Sequence, residues 1–252
     1  MPGDSHLFPP FAAIFDWDGV IIDSHDLHEE SWYLLAAENS LPVPENFFKR
    51  SFGMRNAEVI RDLAQWSNDH EEIKRLSDRK EELYRSLILK KGIAPLPGVI
   101  PFLENLKQKS IPTAIGSSSV LLNITTVLNL LRLDSYFDVI LTGADVSEGK
   151  PSPEIFLKCS EQLGIPPSYC IVFEDAHVGI QAAKRAGMVA VAVTTTHPAY
   201  TFDQADKIVD RLDQLSIEAL LQLSDLNRRP EHVSASISTT SEQARLTRFR
   251  RE

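Results

Sequence analysis

Cysteine is scarce in this chain: its 252 residues hold two, Cys159 and Cys170. Two cysteines close one bridge at most, so no disulfide framework holds the fold, and no zinc spacing is present. Both read as small buried hydrophobes, and a reducing compartment, the cytoplasm, is the expected location. Long apolar runs are also missing. None approaches the ~20 residues of a membrane span. Met1 to Pro10 has neither a basic start nor an apolar centre, so it does not read as a signal peptide. Positive charge is in the minority: 26 Lys and Arg stand against 35 Asp and Glu, a formal charge of −9. That balance disfavours nucleic acid and anionic membranes as partners.

What is present concentrates in short apolar runs that end on polar residues. Ala12-Ala13-Ile14-Phe15 leads straight into Asp16 and Asp18. Such a run reads as a buried strand of a parallel sheet, with the acids at its carboxyl end, where open α/β sheets bind ligands. One carboxylate suits a nucleophile and the other a proton carrier. A helix cap or a solvated turn would use aspartates equally well, so this motif alone decides nothing.

Three further runs repeat the pattern. Ile111 to Gly116 stops at Ser117-Ser118-Ser119. Phe137 to Thr142 is followed by Gly149-Lys150-Pro151. Cys170 to Phe173 stops at Glu174-Asp175. Each is strand-length and each precedes a helix-like stretch, which argues for βαβ units and a parallel sheet. Parallel strands share one carboxyl-terminal rim. An aspartate pair, a hydroxyl, a lysine and an acidic pair would therefore converge there.

These four segments, in this order, resemble the motifs of the haloacid dehalogenase superfamily of phosphohydrolases. Phe15-Asp16-Trp17-Asp18-Gly19-Val20 is similar to the first motif, Ser117 to the second, Lys150 in Gly-Lys-Pro-Ser-Pro-Glu to the third and Glu174-Asp175 to the fourth. The resemblance covers about residues 11 to 225. It implies an α/β fold: a Rossmann-like three-layer core with a parallel sheet, plus an inserted α-helical cap.

The organisation of the chain agrees with that expectation. The stretch between the first strand and Ile111 is too long for one crossover helix. Its apolar residues recur at helical spacing, as in the stripe Ile73, Leu76, Leu83, Leu87 and Ile88. We assign residues 25–94 to a helical cap and residues 1–24 and 95–226 to the core, with hinges near Asp23-Ser24 and Ala94 to Gly98. A helix from Ser152 to Leu163 would take Ser152 as N-cap. Residues 227–252 carry six Arg against three Glu and few large apolar residues, and read as a solvated tail.

The resemblance also implies roles. Asp16 would be the nucleophile and a Mg²⁺ ligand, forming an aspartyl phosphate. Asp18 would bind the metal through its backbone carbonyl and carry protons on its side chain. Asp175 and Glu174 would complete the protein's share of the metal site. Ser117 and Lys150 would hold the transferring phosphoryl oxygens, with Ser118 beside them on the substrate. In the cap, His28, Arg55 and Lys80 are candidate substrate contacts, against the simpler reading of polar or solvated side chains. The implied activity is Mg²⁺-dependent hydrolysis of a small phosphomonoester by a protein expected to be a monomer, with a dimer allowed. β-Phosphoglucomutases share this core and cap, so a sugar-phosphate mutase is the alternative. Where those enzymes have a lysine and an asparagine after the second motif, this chain has Val120 and Leu121. A non-catalytic phosphometabolite-binding regulator on the same fold is a third reading.

Overall fold

The computed structural model describes residues 9–51 and 54–228. Phe52 and Gly53, in the stretch assigned to the cap, and the tail beyond residue 228 lie outside the described residues. Six strands form one parallel sheet: β1 (Ala12–Phe15), β2 (Thr113–Gly116), β3 (Val139–Leu141), β4 (Cys170–Glu174), β5 (Val189–Val193) and β6 (Lys207–Val209). Their spatial order is β3-β2-β1-β4-β5-β6. The chain builds outward from β1 to β3, then crosses back to β4. That reversal beside β1 is where open α/β sheets form a ligand crevice.

Side-chain alternation along the strands sorts the core into two layers. Ala13 and Phe15 of β1 join Ile171 and Phe173 of β4 on one face, and the Phe15 and Phe173 rings stack with centroids 4.8 Å apart. Ala12, Ile14, Cys170 and Val172 fill the other. Helices α5 (Val99–Gln108), α6 (Leu121–Leu131) and α9 (Ile217–Asn227) cover the first face. Helices α7 (Glu154–Leu163) and α8 (His177–Arg185) cover the second. This is the parallel sheet the patterning predicts, in the three-layer arrangement the resemblance implies. Both cysteines are buried. No helix among the described residues is long and apolar enough to cross a membrane.

Between β1 and β2 the chain forms α1 (His25–Glu38), α2 (Phe47–Ser51), α3 (Asn56–Glu58) and α4 (His70–Lys91). Together with the helical turn Val59–Leu63 they bury a cluster of their own, including Trp32, Leu35, Phe47, Ile60 and Leu76. Asp69 caps α4 by accepting from the Glu72 amide at 2.9 Å. Glu71 and Glu72 begin that helix and Lys90 and Lys91 end it, as the helix dipole favours. The segments entering and leaving the insertion run side by side: Leu96 N–H donates to Ile21 C=O at 3.0 Å, and Ile22 bridges Pro95.

Three local readings change. The short edge strand β6, only three residues, was not anticipated. Pro153, rather than Ser152, stands at the N-cap of α7 and makes no side-chain cap bond. The last helix runs to Asn227, whose amide donates to Gly187 C=O at 3.0 Å, so the tail cannot begin before residue 229.

Candidate active site

The site is assembled by strand ends. Asp16 follows β1, and its N–H donates to Phe173 C=O at 2.9 Å, which pins it to β4. Glu174 ends β4 and Asp175 follows. Ser117 follows β2, and Lys150 lies in the loop before α7. Lys150 Nζ donates to Asp16 Oδ1 and to Glu174 Oε1, each at 2.7 Å. Ligand atoms of Asp16, Glu174 and Asp175 all lie within 4.8 Å of one another. The Thr196 hydroxyl donates to Asp175. Gly19 makes the packing possible. It adopts φ +77°, and a Cβ there would stand 2.0 Å from Asp175 Oδ2.

Three buried carboxylates face one lysine here. Burial first, then the Glu174 charge, outweigh Lys150 and raise Asp16 to about 7. Burial, with Glu174 and Asp16 beside it, raises Asp175 well above the ordinary carboxylate range. A compact, oxygen-only, over-negative donor set fits a hard divalent cation.

Asp18 sits two residues on, in opposite surroundings. Its carboxylate accepts from Ser24 Oγ at 2.5 Å and from Ser119 Oγ, and meets His28 Nε2 at 3.2 Å. Burial pushes this group up, but His28 and the hydroxyl donors outweigh it and hold it at about 2. Lys80 Nζ lies 2.8 Å from His28 Nδ1 and 3.0 Å from Glu81 Oε1. The His28 ring thus stands between Lys80 on its Nδ1 side and Asp18 on its Nε2 side. Tyr84 stacks on the His28 ring at 3.9 Å. Glu81 accepts in turn from Asn56 at 2.6 Å and from Asn123 of α6 at 2.5 Å. The chain Asn123–Glu81–Lys80–His28–Asp18 thus links the insertion to the core.

A cavity of about 350 Å³ lies between the carboxylate floor and the insertion. Asp16, Asp18, His28, Arg55, Lys80, Ser117, Ser118, Lys150, Glu174 and Asp175 all line it, so every candidate residue comes to one place. Ser117 Oγ accepts from Ser119 N–H at 3.2 Å. Arg55 reaches across from the insertion: its Nε lies 2.9 Å from where a Cβ on Gly149 would be. Its Nη2 is buried without a hydrogen-bond partner among the described residues. Lys80 is not solvated; it is 3% exposed. Its position was readable, since 73, 76, 80, 83 and 87 continue one buried stripe of α4. Ser24, Ser119, Glu81 and Asn123 were missed. Only Ser119 had a signal, its place in the serine cluster.

Residues 13–193 match the family of haloacid dehalogenase-like hydrolases. The chain belongs to that family. It is 36% identical over 217 residues to the chloroplastic 5-amino-6-(5-phospho-D-ribitylamino)uracil phosphatase of Arabidopsis thaliana, matching 85% of this chain and 58% of that protein's length. It is 33% identical to β-phosphoglucomutase of Bacillus subtilis, over 83% of this chain and 93% of the other. The crystal structure of β-phosphoglucomutase from Clostridium difficile superposes with a TM-score of 0.74 at 31% identity, covering 85% of this chain and 96% of that one. This haloacid dehalogenase-like hydrolase thus falls in the group that holds both phosphatases and phosphoglucomutases.

Proposed function

We propose that the chain is a Mg²⁺-dependent phosphatase of a small phosphorylated metabolite, working through an aspartyl phosphate on Asp16. The observation that carries this reading is the Asp16–Glu174–Asp175 cluster with Lys150 among its oxygens, open to a closed-in cavity. Asp16, Glu174 and Asp175, with the Asp18 backbone carbonyl, would hold the cation. When bound, it would neutralise the repulsion between a phosphate dianion and the attacking carboxylate. Asp16 attacks phosphorus, and the bond to the leaving alcohol breaks. Ser117 and Lys150 hold the phosphoryl oxygens as charge builds on them. Water then attacks the phosphorus of the acyl phosphate and gives up a proton to Asp18; the bond between phosphorus and the Asp16 oxygen breaks, inorganic phosphate leaves and Asp16 is restored as a carboxylate. Held as a carboxylate by His28, Ser24 and Ser119, Asp18 stands ready as that base. To serve as acid in the first step it must take up a proton, which requires some of those donors to turn away. Helices α1 to α4 act as a cap that closes over the site and limits the water in it to what hydrolysis uses.

The test is phosphate release from a panel of phosphomonoesters, with Mg²⁺ and with chelator. Turnover that depends on Mg²⁺ and disappears in Asp16→Asn supports the reading; Mg²⁺-independent turnover, or an active Asp16→Asn, overturns it.

One observation favours the mutase alternative: Arg55 lines the cavity, and its buried Nη2 has no hydrogen-bond partner among the described residues, so it holds donor capacity that a second phosphate would use. Against it, Val120 and Leu121, which line the same cavity, bring no charge to it. β-Glucose 1-phosphate given with a bisphosphate primer should yield no glucose 6-phosphate at a useful rate. Isomerisation with kcat/KM above that of any hydrolysis would promote the mutase.

A further inference from the structure

Part of the cavity lining is built unlike its carboxylate floor. Val120 and Leu121 belong to it, 41% and 51% exposed, and Leu122 beside them is 56% exposed. Trp32, Phe48 and Met54 line the same cavity from the insertion. The core stripe of α6 is Ile124, Val127 and Leu128, so the helix is anchored without its first two residues. Val120 is the N-cap of α6 and makes no side-chain cap bond, where Ser, Thr, Asp or Asn would satisfy an amide. Apolar residues that break a capping rule and stay open to solvent serve neither helix nor core. Such local violations belong at functional sites.

We infer that Val120 and Leu121, with Trp32 of the same cavity, seat the far end of the leaving alcohol, and that this end is a flat heteroaromatic ring. The inference rests on the phosphatase reading for its turnover arm. A bare polyol would press hydroxyls against Val and Leu without partners. A second phosphate would lose its water against Val120 and Leu121, which offer it no donor; Lys80 is already held by His28 and Glu81, and Arg55 beside Gly149 belongs to the mutase alternative that β-glucose 1-phosphate tests. A ring instead covers apolar side chains with its faces and keeps its edge for polar partners, of which Asn56 lines the cavity. A volume of about 350 Å³ accommodates a phosphate, a short arm and one ring.

The experiment compares matched phosphates with and without the ring. Ribitol 5-phosphate is set against 5-amino-6-(5-phospho-D-ribitylamino)uracil, and ribose 5-phosphate against uridine 5′-phosphate. Each is measured twice: as kcat/KM in the wild type, and as Kd on Asp16→Asn, which binds without turnover. We expect the ring to improve both by at least about tenfold in one pair or the other. The double change Val120→Lys, Leu121→Asn should bring that ratio within about threefold of one, while Leu121→Met keeps it. Ratios near one in both pairs overturn the seat, as does a preference that survives the double change. If Asp16→Asn shows the ring preference in Kd but the wild type releases no phosphate, the seat stands and the phosphatase reading falls. If the wild type hydrolyses ringed and ringless substrates equally, the reverse holds.

Discussion

Asp16 and Asp18 are the same residue type, two positions apart, on opposite sides of one charge balance. The floor around Asp16 is short of positive charge: three buried carboxylates share Lys150, and Asp16 and Asp175 are pushed upward. The cap side around Asp18 is complete in itself, with each charge or dipole answered by the next from Asn123 to Asp18. A strand end collects acids that only an added cation satisfies; helix faces packed together supply their own partners. The first region is built to receive something, and the second to hold a position.

The largest break in that contrast is Asp16→Asn. Activity should fall at least about 10⁴-fold, since nothing else can form the acyl phosphate. In chelator, the variant should nevertheless melt higher than the wild type, because one of the crowded carboxylates is gone. A lower melting temperature would mean the floor is not short of charge. Asp18→Asn should cost less, about 10²–10⁴-fold, the usual share of proton transfer. Its loss should be smallest in the phosphorylation step of an activated phenolic substrate, which leaves without a proton. An equal or greater loss there removes Asp18 from the acid role.

Stability against pH separates the two aspartates by sign. Asp16 titrates at about 7 in the folded chain against an ordinary 3.8. Between those values the folded protein keeps a proton that the unfolded chain releases. Stability from this group is full below pH ~4 and is lost as pH rises through about 7. Asp18 is held at about 2, so its contribution is present above 3.8 and lost as pH falls through about 2. Metal-free protein should therefore lose on the order of a few kcal/mol between pH 5 and 8, roughly 5–10 °C in Tm. Saturating Mg²⁺, which competes with the proton, should flatten that slope, as should Asp16→Asn. Thermal melts at four pH values, wild type against variant, decide it; a wild-type curve parallel to that of Asp16→Asn would rule out the raised Asp16.

The floor was legible in the sequence and the cap side was not, for a physical reason. Asp16, Ser117, Lys150 and Glu174-Asp175 each follow an apolar run, and parallel strands carry run ends to one rim, so local pattern implies the meeting place. Family and sheet follow from the same segments. The cap-side partners meet through helix packing. Glu81 and Asn123 are 42 residues apart, and neither stands in a run that marks it. Lys80 lay in the buried phase of its helix, but a lysine inside a charged stretch reads as solvated until its partners are seen. Edge strand β6 escaped because three residues, one of them an exposed lysine, leave no alternation to read.

The smallest effect tests the join between the two regions. Asn123 belongs to α6 of the core, yet its side-chain amide donates to Glu81 of α4 at 2.5 Å and its oxygen accepts from Arg85 at 2.9 Å. Asn123→Ala removes one donor to a buried carboxylate and leaves Glu81 with Asn56 and Lys80. A hydrogen bond to a charged group contributes about 1.5–3 kcal/mol, and the remaining partners reduce the loss toward the lower figure. Tm should drop by roughly 3–6 °C. The floor is untouched, so Mg²⁺ should still raise the variant's melting temperature as much as it raises that of the wild type. KM should rise more than kcat falls, because the insertion is less firmly held over the cavity while Asp16 and Lys150 keep their geometry. A collapse of kcat with KM unchanged would show that the Asn123–Glu81 contact sets the chemistry at Asp18 rather than the position of the cap.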